Sequence, residues 1–296
     1  MRPGEVAIEN DRLRLTVLPD FGAAVTAFTL KRDGGEVDIF RPWDGTPDNP
    51  SRLASINLIP WSNRISGGGI TVGKRFYPLK PNREGEPYPI HGDGFQQAWR
   101  VVEARPDLIH LAIESAVQAP YDYRAHVVYG LSPTALTMRM EVEHQGDEPA
   151  LYGMGFHPWF PRTPGVTLEA PARTVWLETE DHLPAGAVPV AERPEWDFRT
   201  AKPLPPTPVN NGFTGWQGQA RIAWPERGLA VEIKAEPELS TYMLYSPAQD
   251  CGFFCFEPVS HPVDAFHLPG GPQANGLRLL SRFERFDVAA ELTVLG

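Results

Sequence analysis

The chain has 296 residues, of which 42% are hydrophobic, and it carries a formal net charge of −10. That charge argues against nucleic acids and anionic membrane surfaces as partners, because both select for basic patches. The 32 prolines and 27 glycines, beside so much apolar material, indicate many short strands joined by turns rather than disorder.

Alternating hydrophobicity predicts short strands and tight turns along most of the chain. Residues 12–17 alternate polar and apolar side chains with a period of two, and residues 9–11 before them have hairpin-turn chemistry. Residues 70–77 and 124–144 are each predicted to form a hairpin around a central turn. The proline-free tail, residues 276–295, suits strand better than helix, so an all-β fold is expected.

Two features bear on the cellular compartment. Residues 1–10 lack an apolar signal segment, and no stretch approaches the roughly 20 apolar residues of a membrane span. Cys251 and Cys255 would lie roughly 13 Å apart in a strand, beyond the about 7 Å between Cα atoms that a disulfide permits. Buried free thiols are therefore expected, in a cytoplasmic protein without a membrane partner.

One aromatic run delivers a single carboxylate to the end of a predicted strand. Residues 251–256 are of strand type, Glu257 follows them, and Pro258 comes next. Because Pro258 cannot donate to a sheet ladder and favours an extended preceding residue, Glu257 is expected where a buried strand opens into a loop. Catalytic groups commonly occupy such positions, although a solvated strand end is the alternative.

Two histidines are embedded among glycines, prolines and aromatics. His91 precedes a glycine and has Phe95 nearby, and His157 lies two residues before Trp159. The flanking glycines leave His91 open to a ligand, and Trp159 offers a flat apolar face that suits the C–H face of a sugar ring. The alternative for His157 is a satisfied histidine in an aromatic core.

The three segments together offer two histidines and one carboxylate near aromatic rings, which is the usual make-up of a small-ligand site. A carboxylate and an imidazole form a natural base and acid pair. Metal binding is the competing use of the same residue types, but their wide separation carries no diagnostic spacing, so no metal is expected. The sequence also lacks the G-x-S-x-G motif of a serine hydrolase.

Four motifs give the chain a resemblance to a known family. Pro60–Ile65, His91–Gly92, Gly155–Phe160 and Phe256–Pro258 occur in the order and approximate spacing of the aldose 1-epimerase (galactose mutarotase-like) family. The resemblance implies one β-supersandwich domain over residues 1–296, a large antiparallel sandwich with its site in a cleft on one sheet. It also implies the interconversion of the α and β anomers of an aldose through the open chain.

The resemblance assigns a role to each motif residue. Glu257 would be the general base for the C1 hydroxyl, and His157 the general acid for the ring oxygen. His91 would hydrogen-bond in the same region and support the developing charge, while Arg64 and Asn63 would hold sugar hydroxyls. A small-molecule sugar is the expected partner, and no cofactor is needed because nothing is oxidised and no group leaves.

Two positions depart from the pattern of the galactose-active members. Those relatives carry a sugar-contacting Asp where Asn210 is the best match here, and a Gln where this chain has Met243. A site that hydrogen-bonds a substrate hydroxyl discriminates strongly on that hydroxyl, so these changes put a preference for galactose in doubt. Asn210 is retained as a candidate sugar contact, and the identity of the sugar is left open.

Three alternatives stand beside this interpretation. A hexose-phosphate epimerase would bring several arginines to the cleft, and only Arg64 is placed there by sequence. A non-catalytic sugar-binding protein would not need the matched set Glu257, His157 and His91. A structural sandwich with incidental histidines is the third alternative. The oligomeric state and any structural metal are not indicated by the sequence.

Overall fold

The computed structural model describes residues 2–46, 49–248 and 250–296, and strands dominate it. The strands, numbered in chain order, are β1 Val6–Glu9, β2 Leu13–Leu18, β3 Ala24–Arg32, β4 Gly35–Asp38, β5 Ser55–Leu58, β6 Gly69–Val72, β7 Arg75–Pro78, β8 Arg100–Arg105, β9 Leu108–Ser115, β10 Tyr123–Leu131, β11 Ala135–His144, β12 Ala150–Tyr152, β13 Gly155–Pro161, β14 Thr167–Glu169, β15 Thr174–Glu178, β16 Pro184–Pro189, β17 Lys202–Pro203, β18 Val209–Thr214, β19 Gln219–Trp224, β20 Leu229–Ala235, β21 Thr241–Ser246, β22 Phe253–Val259, β23 Arg278–Leu280 and β24 Arg285–Leu295. The helical residues among those described form short 3₁₀ turns, at Pro50–Arg52, Gly94–Gln96, Val190–Glu192, Pro194–Trp196, Pro225–Arg227 and Gln273–Asn275.

Two large antiparallel sheets contain most of these strands. The first sheet has the order β1-β2-β3-β5-β13-β22-β21-β18-β15-β16, with β4 beside β3. The second has the order β17-β14-β19-β20-β24-β11-β10-β9-β8, and β6-β7 and β12-β23 form two small sheets. This architecture confirms the large antiparallel sandwich predicted from the sequence.

The main core lies between the two large sheets. Phe160 of β13 packs against Trp224 of β19 with ring centroids 6.2 Å apart, and Trp224 Nε1 donates to the Pro161 carbonyl at 2.8 Å. The predicted hairpin over residues 124–144 is confirmed as β10 and β11, which pair along their whole length. Its alternation builds the core directly, because one face of β11 is buried through Leu136, Met138, Met140 and Val142.

Strand β22 has side chains on both faces of the first sheet. Phe254 and Phe256 belong to the main core, whereas Cys255 and Val259 belong to a second, smaller apolar cluster. Because side chains alternate along a strand, Glu257 shares the face of Cys255, away from the main core. That face of the first sheet carries the candidate site.

Two expectations from the sequence are wrong in detail. β22 continues through Glu257 and Pro258, so the carboxylate lies inside a strand and not where a strand opens into a loop. β22 is paired with β13 on one side and β21 on the other, so the missing N–H of Pro258 does not end it. Both thiols are free as expected, but only Cys255 is buried, because Cys251 lies exposed in the turn before the strand.

The other strand predictions are confirmed. β1 and β2 form the first hairpin, β6 and β7 form the hairpin over residues 70–77, and the tail contains β23 and β24. Among the described residues, no helix has the length and apolar character needed to cross a membrane.

Candidate active site

A cleft of about 710 Å³ lies beside β13 and β22, on the face of the first sheet away from the main core. The loop after β5 and the turn between β15 and β16 contribute to its walls. All seven residues that the sequence singled out line this cleft: Asn63, Arg64, His91, His157, Trp159, Asn210 and Glu257. The structure brings these side chains together, and their roles in a reaction stay predictions.

His157 and Glu257 face each other at the floor of the cleft. The register that pairs Gly155 with Val259 and Trp159 with Cys255 places His157 opposite Glu257 on the neighbouring strand. His157 Nε2 lies 3.3 Å from Glu257 Oε1, and their side chains are only 10% and 4% exposed. Two titratable groups are therefore in direct contact and shielded from water.

Burial shifts the two pKa values in opposite directions. Desolvation raises the pKa of Glu257 well above its usual value, partly offset by the charge of Arg64. Desolvation also lowers the pKa of His157 to about 3. A net-neutral pair that holds one proton follows from these shifts. Within the described residues, the buried atoms Glu257 Oε2 and His157 Nδ1 have no hydrogen-bond partner.

His91 is positioned as a neutral hydrogen-bond donor. Its Nδ1 accepts the Asn63 backbone N–H at 3.0 Å, so the proton of the neutral ring sits on Nε2. Burial and the nearby His157 hold the pKa of His91 well below its usual value, and the two imidazole centroids are 5.3 Å apart. The following Gly92 is required, because a Cβ there would lie 2.0 Å from the Ile59 carbonyl oxygen.

Arg64 is held by a carboxylate that no sequence motif identifies. Its guanidinium forms a two-point contact with Glu86, with Nε–Oε2 at 3.0 Å and Nη2–Oε1 at 2.8 Å. Glu86 lies in a polar segment with no periodicity and no motif, so only the fold reveals the pair. The contact neutralises the Arg64 charge and orients the side chain at the edge of the cleft.

The loop that carries Asn63 and Arg64 is held in place by residues that follow β22 in the chain. His261 Nε2 accepts the Ser62 N–H at 3.1 Å, and the Asp264 carboxylate accepts the Ser66 N–H at 2.9 Å. Burial lowers the pKa of His261 to about 4, so the ring is neutral and able to accept. These anchors were not predicted, although His261 lies only three residues after the Phe256–Pro258 motif.

Asn210 contacts a carboxylate at the opposite wall of the cleft. Its Nδ2 donates to Glu178 Oε2 at 2.8 Å, and Glu178 also lies 2.9 Å from His182 Nδ1. The position therefore has an amide and a carboxylate, the latter supplied by the neighbouring strand β15. Met243 is 2% exposed and paired with Glu257 across β21 and β22, so it packs beside Glu257 on the same face of the sheet.

Trp159 supports the catalytic candidate beside it. The indole stacks on His157 with ring centroids 4.0 Å apart and an interplanar angle of 20°. The Arg41 guanidinium lies 5.2 Å from the indole centroid and donates to the Ser51 and Leu53 carbonyls. Trp159 thus fixes the imidazole plane as well as contributing apolar surface to the cleft.

The charge of the cleft is predominantly negative. Among its described lining residues two are arginines, Arg64 and Arg83, and five are acidic, namely Glu86, Glu178, Glu180, Asp181 and Glu257. Glu86 already cancels the charge of Arg64. The wall formed by the turn after β15 is the most acidic part of the cleft.

The chain is similar in sequence and in fold to known proteins. The family described as aldose 1-epimerase matches residues 5–276. The uncharacterized protein YphB of Escherichia coli K12 is 39% identical over 220 residues, which cover 72% of this chain and 75% of that protein. A crystal structure from Escherichia coli K12, provisionally described as an aldose 1-epimerase, has 32% identity and a TM-score of 0.88 over 98% of each chain. A GalM/aldose epimerase homologue from C. elegans has the same fold, with 19% identity and a TM-score of 0.83 over 98% of each chain.

Proposed function

Since this chain belongs to the aldose 1-epimerase family, we propose that it interconverts the α and β anomers of an aldose through the open-chain form. The observation that carries the proposal is the contact of 3.3 Å between two buried titratable groups, His157 and Glu257, in a cleft of sugar size. Such a pair performs proton transfer in both directions, which ring opening and ring closure require.

Ring opening uses one protonation state of the pair. With Glu257 ionised and His157 protonated, Glu257 removes the C1 hydroxyl proton and His157 protonates the ring oxygen as the C1–O bond breaks. The pair is then left with a protonated Glu257 and a neutral His157. After rotation about the C1–C2 bond, His157 takes the proton back from the hydroxyl that attacks C1, and Glu257 returns its proton to the carbonyl oxygen. The number of protons on the pair is the same before and after the cycle.

The directions of the pKa shifts favour the state of the pair that ring opening produces. Burial favours the uncharged form of each partner, so the state reached after ring opening is not a high-energy state. Attraction between an ionised Glu257 and a protonated His157 across 3.3 Å offsets part of that preference in the charged form from which ring opening starts. The pair can therefore exchange one proton with the sugar without changing its net charge.

His91 is proposed to stabilise the oxygen on which charge develops. Its Nδ1 is occupied by the Asn63 N–H, so Nε2–H is the donor that a sugar oxygen would meet. The lowered pKa of His91 keeps its ring uncharged, so it acts as a fixed neutral hydrogen-bond donor and not as a second charged group.

The charges of the cleft favour a neutral sugar over a hexose phosphate. A phosphate would have to approach Glu178, Glu180 and Asp181, and Arg64 is already paired with Glu86. The other arginine, Arg83, donates to Ser51 Oγ at 2.5 Å at the rim. A phosphorylated substrate is expected to meet several unpaired cations instead.

A non-catalytic sugar-binding role is less consistent with the floor of the cleft. Burying Glu257 with an unpartnered Oε2 costs about 1–3 kcal/mol, and a protein that only binds sugar has no use for that arrangement. A neutral amide would hold a hydroxyl at a lower cost.

The test is the rate at which optical rotation of freshly dissolved α-anomers approaches equilibrium, for neutral aldoses and for hexose 6-phosphates. We expect acceleration with at least one neutral aldose and none with the phosphates. Acceleration of the phosphates alone would reject the neutral substrate class, and no acceleration of any sugar would reject the reaction.

A further inference from the structure

Three metal-binding side chains converge at the floor of the cleft, one of which has no part in the proposed reaction. Cys255 and Glu257 share a face of β22, and His157 approaches them from β13. One donor atom from each lies within 4.8 Å of the others, and all three residues are buried. The sequence does not suggest this cluster, because His157 is about a hundred residues away from the other two.

The geometry is close to that of a tetrahedral zinc site. Zinc–ligand distances of about 2.0–2.3 Å place neighbouring ligand atoms roughly 3.3–3.7 Å apart. The distance between His157 Nε2 and Glu257 Oε1, 3.3 Å, already satisfies this condition. The Cys255 sulfur is within 4.8 Å, so a side-chain movement on the order of 1 Å completes three ligands.

The chemistry of the donors selects a soft divalent cation. A set of imidazole, thiolate and carboxylate suits Zn²⁺ and excludes Mg²⁺ or Ca²⁺, which prefer oxygen ligands. Glu257 and His157 line the cleft, so the fourth coordination position opens towards it. The unpartnered Glu257 Oε2 and the acidic wall of the cleft both favour a cation there.

We propose that the cleft floor binds Zn²⁺ through His157 Nε2, Cys255 Sγ and the Glu257 carboxylate, and that Zn²⁺ and sugar exclude each other. Two of the ligands are the groups that exchange protons in the proposed reaction, so the bound metal removes both from catalysis. His157 Nδ1 lacks a hydrogen-bond partner among the described residues, and zinc-binding histidines usually have one. Affinity is therefore expected to be below that of a structural zinc site.

Cobalt provides the binding test, because a thiolate ligand gives Co²⁺ a charge-transfer absorption band that reports the sulfur directly. The wild type and Cys251→Ser are each expected to show this band with one equivalent of Co²⁺ and to lose it when Zn²⁺ is added. Cys251→Ser is the matched control, because it removes the exposed thiol four residues away. Cys255→Ser is expected to lose the band and to bind Zn²⁺ at least about tenfold more weakly.

Two results would overturn the site: no band in the wild type with excess Co²⁺, or a band that depends on Cys251. His157→Gln keeps both thiols and is expected to weaken binding as well, which covers the case in which Cys255→Ser does not fold by circular dichroism.

The inhibition rests on the proposed function and is measured separately. Zn²⁺ is expected to slow mutarotation competitively with sugar, with the rate restored by a chelator. Non-competitive inhibition would reject mutual exclusion. A cobalt band that depends on Cys255 in a protein without mutarotase activity would support the metal site and reject the proposed function. Mutarotase activity in a protein that shows no such band would support the proposed function and reject the metal site.

Discussion

At the scale of single residues, the buried pair makes stability depend on pH in two opposite ways. The pKa of Glu257 is raised, so above its usual value the unfolded chain releases a proton that the folded protein keeps, and stability falls as pH rises. The pKa of His157 is lowered from 6.5 to about 3, so the unfolded chain binds a proton first as pH falls, and acid destabilises the fold. Burial of the pair therefore lowers the stability of the fold both as the pH rises and as the pH falls.

Replacing Glu257 by the isosteric amide removes one of these costs. We expect Glu257→Gln to raise the free energy of unfolding by about 1 kcal/mol at pH 8, and by less at pH 5, because only the wild-type carboxyl titrates between them. Urea denaturation at the two pH values measures the effect. Glu114→Gln, in which the side chain is 74% exposed on β9, is the control and is expected to show no such difference. A larger gain at pH 5 than at pH 8 would contradict the assignment.

Glu178 is expected to contribute to sugar binding at the wall where galactose-active relatives use an Asp. Its carboxylate is oriented by Asn210 and His182, and it lines the cleft. We expect Glu178→Gln to raise KM about tenfold with kcat changed little, because a hydrogen bond to a charged group contributes about 1.5–3 kcal/mol. Initial rates over a range of sugar concentrations separate the two constants. A fall in kcat at unchanged KM would contradict a binding role.

Some residues of the candidate site can be selected from the sequence, whereas others are identified only by the fold. His157 and Glu257 stand in short motifs rich in glycine, proline and aromatics, so local sequence is enough to select them. Glu86 and Glu178 stand in stretches without a recognisable motif, and they gain their importance from Arg64 and Asn210 on other segments. Such partners depend on which strands are neighbours, and periodicity contains no information about that.

At the scale of elements, the sheet is interrupted where the candidate catalytic pair meets. The ladder between β13 and β22 pairs Gly155 with Val259, and resumes only at Trp159 and Cys255. Pro158 and Pro258 fall in the intervening stretch and supply no N–H. The sequence predicts a loop at Pro258, but in the structure both prolines lie within strands. Their effect is to loosen backbone pairing beside the site while the strands continue.

The segment that positions His91 depends on Gly92. A Cβ at Gly92 would lie 2.0 Å from a backbone oxygen, whereas Gly73 in the β6–β7 turn has a similar positive φ and no atom within 4 Å. We expect Gly73→Ala to lose about 1–2 kcal/mol of unfolding free energy from backbone strain alone. Gly92→Ala is expected to lose a further 1–3 kcal/mol, roughly, and to slow catalysis by displacing His91. Denaturation and mutarotation of both variants measure this, and equal losses would contradict the argument.

At the scale of the whole molecule, we propose that the chain folds as one domain over residues 1–296. The chain crosses between the two large sheets several times, and Arg12 near the N-terminus donates to the Gly296 carbonyl at 2.7 Å. Urea unfolding followed by tryptophan fluorescence and by far-ultraviolet circular dichroism is therefore expected to give coincident transitions. Two separated transitions would contradict a single cooperative unit.

The arrangement of the sheets lies beyond what periodicity predicts. Alternation identified β2, β10, β11 and the tail as strands, because burial of one face is a local property of sequence. The neighbours of β22 are β13 and β21, and β13 is about a hundred residues away along the chain. The resemblance to a family, and not the strand pattern, was what indicated the supersandwich and the meeting of His91, His157 and Glu257.

The central claim is that Glu257 exchanges protons with the sugar, and anomer exchange in Glu257→Gln tests it most directly. The rate is followed by optical rotation with the neutral aldose that the wild type accelerates most, and Glu114→Gln serves as the matched control. We predict that Glu257→Gln loses at least about 10²-fold of the catalysed rate, while Glu114→Gln stays within about twofold of the wild type. A folded Glu257→Gln protein that anomerises sugar at the wild-type rate would contradict the account.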